Sequence, residues 1–579
     1  HQTRTAPAIS GGPVAGAPAM RSPAAFLNAL PGIREMDCGD RAAMFRWACF
    51  FALIAAGLRL CFWAYTGRVW EDALITTLHS ENCVQGLGLT HYRPGDPPLH
   101  GFTSPLSVLI PLVGDVLHLG WGIPFLKAVS VIASILAVFY ALGIALYRSI
   151  RLPGPLAAMW MGYLACEHHQ ILWGMAGMET QVTTLILLAS LYYAVTWRPL
   201  PLGASLGLCM LARPDLAFWT VIVGVYALFR DRRQLPRIVG AAAIVYAPWL
   251  AFAWWYYGSP IPHTMVAKWL GVPHWWQESN MTCSTVKREI VERIRDWIFS
   301  PLGLTFGGHG LHLRHPFWDR GYLSGLMLCL ALAGTFFAFW RRQWAMFLPA
   351  FFVFVYTLYY AFLVPFIHGW YLVPFSAVAV LLSLRGLHGL AYPLEGRMRT
   401  AVLGLVAAAY LACIAGILPL TFKTEKQIQE NIENAVRKQA GLYLGRVMRP
   451  DETVGCEPLG YVGYYSRRIV YDWPGLCNRR VTCYLRDAPG RQTLYDMLEH
   501  FRPDYILLRG QEYKYLTEYL SRTWIDTDYD LVKAFTASWD RTRSIFLLHV
   551  NVDCGFLLFR KKALHGPFTD TQSATNQDE

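Results

Sequence analysis

Apolar residues in this chain gather in long runs separated by short polar breaks rich in Pro, Gly and Arg. The runs at 44–66, 123–147, 154–166, 181–197, 199–213, 215–230, 237–257, 322–340, 344–364, 371–392 and 400–420 predict membrane-spanning helices. Several are shorter than the roughly 20 residues of a straight span, so their ends are approximate. After about residue 421 the pattern changes. A charged helix runs from Glu425 to about Arg446. Segments rich in Val, Ile, Tyr and Phe then alternate with helical ones at 468–472, 492–501, 504–508, 511–521, 531–535, 544–549 and 555–560, which predicts a small α/β domain. The expected fold class is an α-helical polytopic membrane protein of about eleven spans with a C-terminal α/β domain.

The charges between the runs set the orientation. Arg148 and Arg151, Arg198, the run Arg230-Asp231-Arg232-Arg233, Arg341 and Arg342, and Arg397 and Arg399 belong on the cytoplasmic side by the positive-inside rule. They share a side only if the apolar stretch 102–119, which contains Asp115, lies on the outer surface and does not cross. The N-terminus is then inside and the C-terminal domain outside. The expected layout is a disordered cytoplasmic segment 1–43, a membrane domain 44–420 with large outer loops at 67–122 and 258–321, an extracytoplasmic domain 421–565 and a disordered tail 566–579. The first apolar run is long and lacks a clear cleavage site, so a cleavable signal peptide is not expected.

Composition agrees. Of 579 residues, 54% are hydrophobic and only 16% charged, against roughly a quarter in soluble domains. The net charge of +12 follows from the inner-side arginines and gives no reason to expect nucleic acid. Several of the 13 cysteines sit in apolar runs as small hydrophobes, and none has zinc spacing. Cys456, Cys477, Cys483 and Cys554 fall in the outer domain, where an oxidising compartment would favour one or two disulfides.

With this orientation the polar motifs fall at outer helix ends: Trp70-Glu71-Asp72, Gly177-Met178-Glu179-Thr180, Arg213-Pro214-Asp215, Pro260-Ile261-Pro262-His263-Thr264 and His368-Gly369-Trp370-Tyr371. Such convergence is what an active site at a membrane surface requires. Glu71 and Asp72 can serve as a general base or as ligands of a divalent cation such as Mg, Mn or Ca. Arg59, inside an apolar helix, either snorkels or partners a lipid phosphate or the acidic pair. Arg213 and Lys268 can hold phosphate, or they are a turn ion pair and a solvated loop charge. Glu179 either orients a ligand or simply favours a helix N-terminus. His168, His169 and His368 lack fixed spacing and read as interfacial hydrogen bonders. Trp370 and Tyr371 are either a sugar-stacking surface or part of an aromatic belt. Trp269, Trp275, Trp276 and an amphipathic run near 286–298 read as an interfacial helix in preference to the alternative, a lid over a donor groove.

The stretch WEDALITTLHSENCVQGLGLTHYRPGDPPLHGFTSPLSVL at 70–109 resembles the first outer loop of the membrane arabinofuranosyltransferases of the GT-C superfamily, the mycobacterial terminal β-(1→2)-arabinofuranosyltransferase AftB and its proteobacterial relatives. The matching parts are Glu71-Asp72, Gly86-Leu87-Gly88-Leu89 and Gly101-Phe102-Thr103-Ser104-Pro105-Leu106. The family's pair is Asp-Asp, so Glu71 departs from it and the base falls to Asp72. Gly177-Met178-Glu179-Thr180, Leu211 to Asp215, Tyr257 to Lys268 (with His263 where Asn is usual) and Trp370-Tyr371…Pro374 follow in the family's order. The resemblance implies a GT-C fold and a bacterial inner-membrane location with the site facing the periplasm. It also implies transfer of D-arabinofuranose from decaprenyl-phospho-arabinofuranose to a cell-envelope glycan or glycoprotein. Arg59, Glu179, Arg213, Asp215, His263, Lys268, Trp370 and Tyr371 would bind the donor phosphate and sugar. Donor and product would both be β, which one displacement with one base does not give. The lipid bilayer, the donor and the acceptor are the expected partners, and a monomer is expected. The rival readings are a GT-C enzyme for mannose or an aminosugar, and a lipid-linked glycan transporter. The sequence lacks the repeated halves common in transporters.

Overall fold

The computed structural model describes residues 38–91, 96–271, 322–362, 369–488, 490, 493–538 and 553–562. His368, Trp275, Trp276, the run near 286–298, the segment 544–549, the tail 566–579 and residues 1–37 lie outside the described residues, while 38–43 of the segment expected to be disordered begin a helix.

Among the described residues, helices occupy all eleven apolar runs. They are α1 (Cys38–Thr66), α4 (Gly122–Leu146), α5 (Gly154–Cys166), α7 (Thr180–Thr196), α8 (Pro199–Ala212), α9 (Ala217–Asp231), α10 (Leu235–Tyr257), α12 (Tyr322–Trp340), α13 (Phe347–Phe362), α14 (Gly369–Leu390) and α15 (Gly396–Gly416). Shorter helices lie between them: α2 (Glu71–Val84), α3 (Leu106–Leu117), α6 (His168–Met175) and α11 (His263–Gly271). By length and composition, Ala42–Thr66, Gly122–Leu146, Leu235–Tyr257, Gly369–Leu390 and the stretch Gly396–Val447 can each cross a membrane.

Helix α3 is the stretch expected not to cross. Its 12 residues rise only about 18 Å, less than a bilayer's apolar core. Its Asp115 is buried but fully used. The carboxylate accepts the backbone N–H groups of Gly120 (3.1 Å) and Gly122 (2.8 Å) at the start of α4, and the Ser80 hydroxyl from α2.

Arg59 is explained by a break in the helix beside it. The chain kinks at Glu167 between α5 and α6, which leaves carbonyls at the end of α5 without helical partners. Arg59 donates to Leu164 O (3.1 Å), Ala165 O (3.2 Å), Gln170 O (3.3 Å) and Gln181 Oε1 (2.9 Å). It is fully buried in the bundle as the cap of α5. The phosphate role expected for Arg59 is not one this geometry offers.

The passage into the C-terminal domain is one helical stretch, Gly396–Val447, about 78 Å long at 1.5 Å per residue. It comprises α15, α16 (Leu418–Ile428), a π-turn (Gln429–Arg437) and α17 (Lys438–Val447). Beyond it stand β1 (Thr453–Cys456), α18 (Leu459–Ser466), β2 (Ile469–Asp472), α19 (Arg479–Asp487), α20 (Leu494–Phe501), β3 (Tyr505–Arg509), β4 (Tyr529–Thr536) and β5 (Gly555–Lys561). The sheet order is β2-β1-β3-β5-β4, with β1 parallel to β2 and β3, and β5 antiparallel to β3 and β4. Helices fill the parallel crossovers, as such connections require. Among the described residues Cys456, Cys477 and Cys483 are free thiols, so the expected disulfides do not join them. Cys456 is buried in β1, whereas Cys483 is exposed on α19.

The domain sits on α2. Gly460 N–H donates to Glu71 Oε1 (3.0 Å), Tyr461 O–H to Val69 O (3.0 Å), and Tyr464 O–H to Glu81 Oε1 (2.5 Å). Arg467 pairs with Glu81 as well. A Cβ at residue 460 would lie 2.3 Å from Glu71 backbone and side chain, so only glycine permits this approach.

Candidate active site

The tips of several membrane helices meet beneath the C-terminal domain. The turn before α7 takes a positive φ of 88° at Gly177, where a Cβ would stand 3.1 Å from Ala73 of α2. Trp70 N–H donates to Ala176 O (2.8 Å), which stitches this turn to the start of α2. Trp70, Trp173 and Trp370 pack together with ring centroids 4.6–5.7 Å apart. Trp370 is only 7% exposed, so it supports the site floor as packing and offers little face for a sugar.

The turn after α8 is equally determined. Arg213 is extended (φ −162°), and Pro214 cannot donate the N–H that would continue the helix. The Arg213 guanidinium then folds onto Asp215, with Nε to Oδ1 at 3.0 Å and Nη2 to Oδ2 at 2.7 Å. Asp215 Oδ2 also accepts the hydroxyls of Tyr356 and Tyr360, both at 2.7 Å. These tyrosines lie one helical turn apart on α13 and so share a face. Burial alone would raise the Asp215 carboxyl, but Arg213 and the two hydroxyls hold it below the usual carboxylate range. Arg213 in turn lies over the Tyr371 ring, 4.0 Å from its centroid. The local ion pair read as the bland alternative for Arg213 and Asp215 is therefore real. It also fixes the plane of a buried guanidinium.

Lys268 on α11 reaches this group. It hydrogen-bonds Tyr371 and is coupled to the charges of Asp72 and Arg213. Burial raises the Asp72 carboxyl above its ordinary value, and Lys268 pulls the other way. Glu179, 7% exposed, is also raised by burial, with Arg213 opposing and Asp72 and Asp215 adding to the rise. Asp72, Glu179, Arg213, Asp215, Lys268 and Tyr371 thus form one electrostatic group drawn from five chain segments.

Glu71 does not join it. Successive helical residues differ by about 100° in direction, so adjacent acids at a helix start cannot face one point. Glu71 turns to the C-terminal domain, where Arg437 Nη1 lies 2.8 Å from Oε2. Burial pushes its carboxyl from the ordinary 4.5 to about 7 against the pull of Arg437. Of the two acids expected as cation ligands, only Asp72 faces the cluster. His263 is also placed elsewhere: its N–H donates to His100 O (2.9 Å), and Nε2 meets Thr482 Oγ1 of α19 at 3.2 Å. Burial and Arg479 lower its imidazole to about 4, leaving it neutral at pH 7.

Tyr356 and Tyr360 were not expected from the sequence. Their spacing of four on an aromatic-rich helix was the available signal, but nothing local ties that helix to Asp215. His168 and His169 prove to be paired to Glu167, with their Nδ1 atoms 2.9 and 3.2 Å from Oε1. Among the described residues this is the one group of three side chains whose ligand atoms could share a metal ion. Glu167 is also the N-cap of α6, accepting Gln170 N–H at 2.8 Å.

Comparison with known proteins places the fold. A family described as a domain of unknown function (DUF8728) matches residues 424–549. No curated protein matches the chain in sequence. The archaeal oligosaccharyltransferase AglB from Archaeoglobus fulgidus, in complex with an inhibitory peptide and a dolichol-phosphate, is similar at TM-score 0.52 and 13% identity, over 85% of this chain and 72% of that one. The apo form of the A. fulgidus oligosaccharyltransferase gives 0.51 and 12%, over 83% and 71%. ArnT from Cupriavidus metallidurans bound to undecaprenyl phosphate gives 0.49 and 13%, over 90% and 99%. The oligosaccharyltransferase likeness shows the fold: a polytopic GT-C membrane bundle with an appended sheet domain.

Proposed function

We propose that this protein is a membrane glycosyltransferase that moves a sugar from a polyprenyl-phosphate donor to an acceptor hydroxyl. The observation that carries this reading is the cluster itself: a carboxyl with a raised pKa, Asp72, beside Lys268 and an immobilised Arg213, all at helix ends. Decaprenyl-phospho-arabinofuranose is the donor favoured by the resemblance of residues 70–109, and a cell-envelope glycan the acceptor. The structural neighbours captured with dolichol-phosphate and undecaprenyl phosphate are in keeping with a lipid-phosphate donor.

In this reading the acceptor O–H gives its proton to Asp72 as its oxygen bonds to the anomeric carbon. The bond from that carbon to phosphate oxygen breaks, and polyprenyl phosphate leaves as a monoester with one more negative charge. Arg213 and Lys268 stabilise that growing charge, which is where fixed cations contribute most. Asp215, Tyr356 and Tyr360 keep Arg213 in place, and Glu179 orients the sugar or its basic neighbours. Asp72 and Glu179 are the carboxylates that would hold a divalent cation, which would add charge neutralisation at phosphate. The arginine groups at 148–151, 198, 230–233, 341–342 and 397–399 all fall at the helix ends opposite the cluster. This arrangement supports a periplasmic site in a bacterial inner membrane.

The test is turnover by the full chain in nanodiscs with short-chain polyprenyl-phospho-arabinofuranose, its mannose and aminosugar counterparts, and glycan acceptors. Transfer with release of polyprenyl phosphate is expected. Movement of an intact lipid-linked glycan across the bilayer without bond cleavage would replace this reading with a transporter. The anomer of the product separates the two chemistries, because a single displacement inverts and a carboxylate nucleophile retains.

A further inference from the structure

A cavity of about 690 Å³ opens between the first outer loop, at Thr90, His91, Asp96, Pro97 and Leu99, and the C-terminal domain, at α19 and the end of α20. Its volume falls within the roughly 300–1,000 Å³ usual for small-molecule sites. We propose that this cavity is the acceptor site and that it takes the end of a neutral oligosaccharide. The proposal deepens the glycosyltransferase reading and rests on it for the word acceptor.

Position is the first argument. Cys477 lines the cavity, and its thiol lies 3.5 Å from Gly101 O in the first loop. Burial pushes that thiol up, and the charges of Asp472 and Asp72 add to the rise. Helix α11 links the same two places. His263 at its start contacts Thr482 of the α19 wall, and Lys268, five residues on, belongs to the cluster. Five helical residues rise about 7.5 Å, so α11 runs directly from the α19 side of the domain to the cluster.

The lining chemistry selects the ligand class. Among the described residues of the lining, two arginines, Arg479 and Arg480, are matched by two aspartates, Asp96 and Asp487. Charges matched in this way favour a neutral ligand over a polyanion or a polycation, and they offer both donors and acceptors to hydroxyl groups. Tyr484 stacks on His500 with centroids 4.3 Å apart, giving an apolar ring face with polar edges. Rigid aromatic faces with paired donors and acceptors suit a neutral sugar better than an extended peptide, whose backbone seeks a strand edge.

The experiment uses the full chain in nanodiscs and measures saturation-transfer NMR to neutral arabino- and manno-oligosaccharides, an acidic oligosaccharide and a short peptide. Neutral sugar should bind parent and Asp72→Asn alike, and Tyr484→Ala should weaken it at least tenfold. Because Tyr484→Ala could disturb α19, Cys483 supplies a second handle: it lines the cavity and is exposed. A bulky maleimide on Cys483 should abolish sugar binding, and Cys483→Ser should be immune to the reagent. Sugar binding that survives the maleimide, or preference for the peptide or the acidic glycan, overturns the proposal. Blocked sugar binding in a protein that turns over no lipid-phosphate donor would keep the cavity as a glycan site and sink the transferase reading. Transfer undiminished by the label would do the reverse.

Discussion

Two buried, charge-rich regions flank the start of α2, and they use the same residue types differently. On the C-terminal-domain side, Arg68 joins Glu425 (2.8 Å) and Glu433 (3.0 Å), while Arg437 joins Glu71 (2.8 Å), Glu433 (3.2 Å) and Asp553. Arg509 continues the chain to Asp553 (2.6 Å), Glu457 (2.5 Å) and Glu512 (2.6 Å). Each guanidinium there bridges two or three carboxylates, so every cation is spent within the protein. In the cluster beside it, among the described residues, Arg213 is held by one carboxylate, and Lys268 by a tyrosine and the field of Asp72. A bridged ladder resists motion and fixes how the domain sits. A lightly paired cluster keeps charge for a ligand, and adjacent residues of α2 belong to opposite sides of that division.

The largest expected effect tests the division directly. Asp72→Asn removes the proton acceptor and should lower transfer about 10³-fold with the fold intact. Glu71→Gln should cost less than tenfold in the same assay. Equal losses in two folded variants would erase the distinction. Next, Arg437→Ala leaves Glu71, Glu433 and Asp553 short of a counter-charge and should destabilise the domain contact by about 3 kcal/mol. Thermal unfolding in nanodiscs reads this as a lowered Tm, and an unchanged Tm would remove the ladder as the fixing device. Third, Tyr356→Phe with Tyr360→Phe deletes two hydrogen bonds to Asp215 and loosens Arg213. Donor KM should rise about tenfold with kcat nearly constant, whereas a fall in kcat alone would place the tyrosines in the chemical step.

The last test is a pH dependence. Burial raises Glu71 in the folded state from 4.5 to about 7, so the native protein holds this proton more tightly than the unfolded chain. Its stabilising contribution is complete below about 4.5 and is lost as pH rises to about 7. The slope is at most about 1.4 kcal/mol per pH unit. Glu71→Gln should flatten the Tm profile across that window. An identical profile in parent and variant would show that Glu71 stays ionised throughout.

The apolar runs by themselves determined the spans, because lipid forces every backbone polar group into a helix and leaves a long apolar signature. They also gave the expectation that α3 does not cross, since only then do the arginines share a side, and its 12 residues are short for a span. The tip motifs were readable for a local reason: Gly177 and Pro214 break helices wherever they stand, and Glu179, Arg213 and Asp215 ride on those breaks. Rotation about the helix axis and contacts between distant segments were not local. They decided that Asp72 faces the cluster while Glu71 faces Arg437, 366 residues away in sequence. They turned Arg59 into a cap for α5, brought Tyr356 and Tyr360 to Asp215, and opened a cavity between the first outer loop and the C-terminal domain. A one-dimensional pattern records which residues avoid water. Which carboxylate finds a cation depends on what the rest of the chain places beside it.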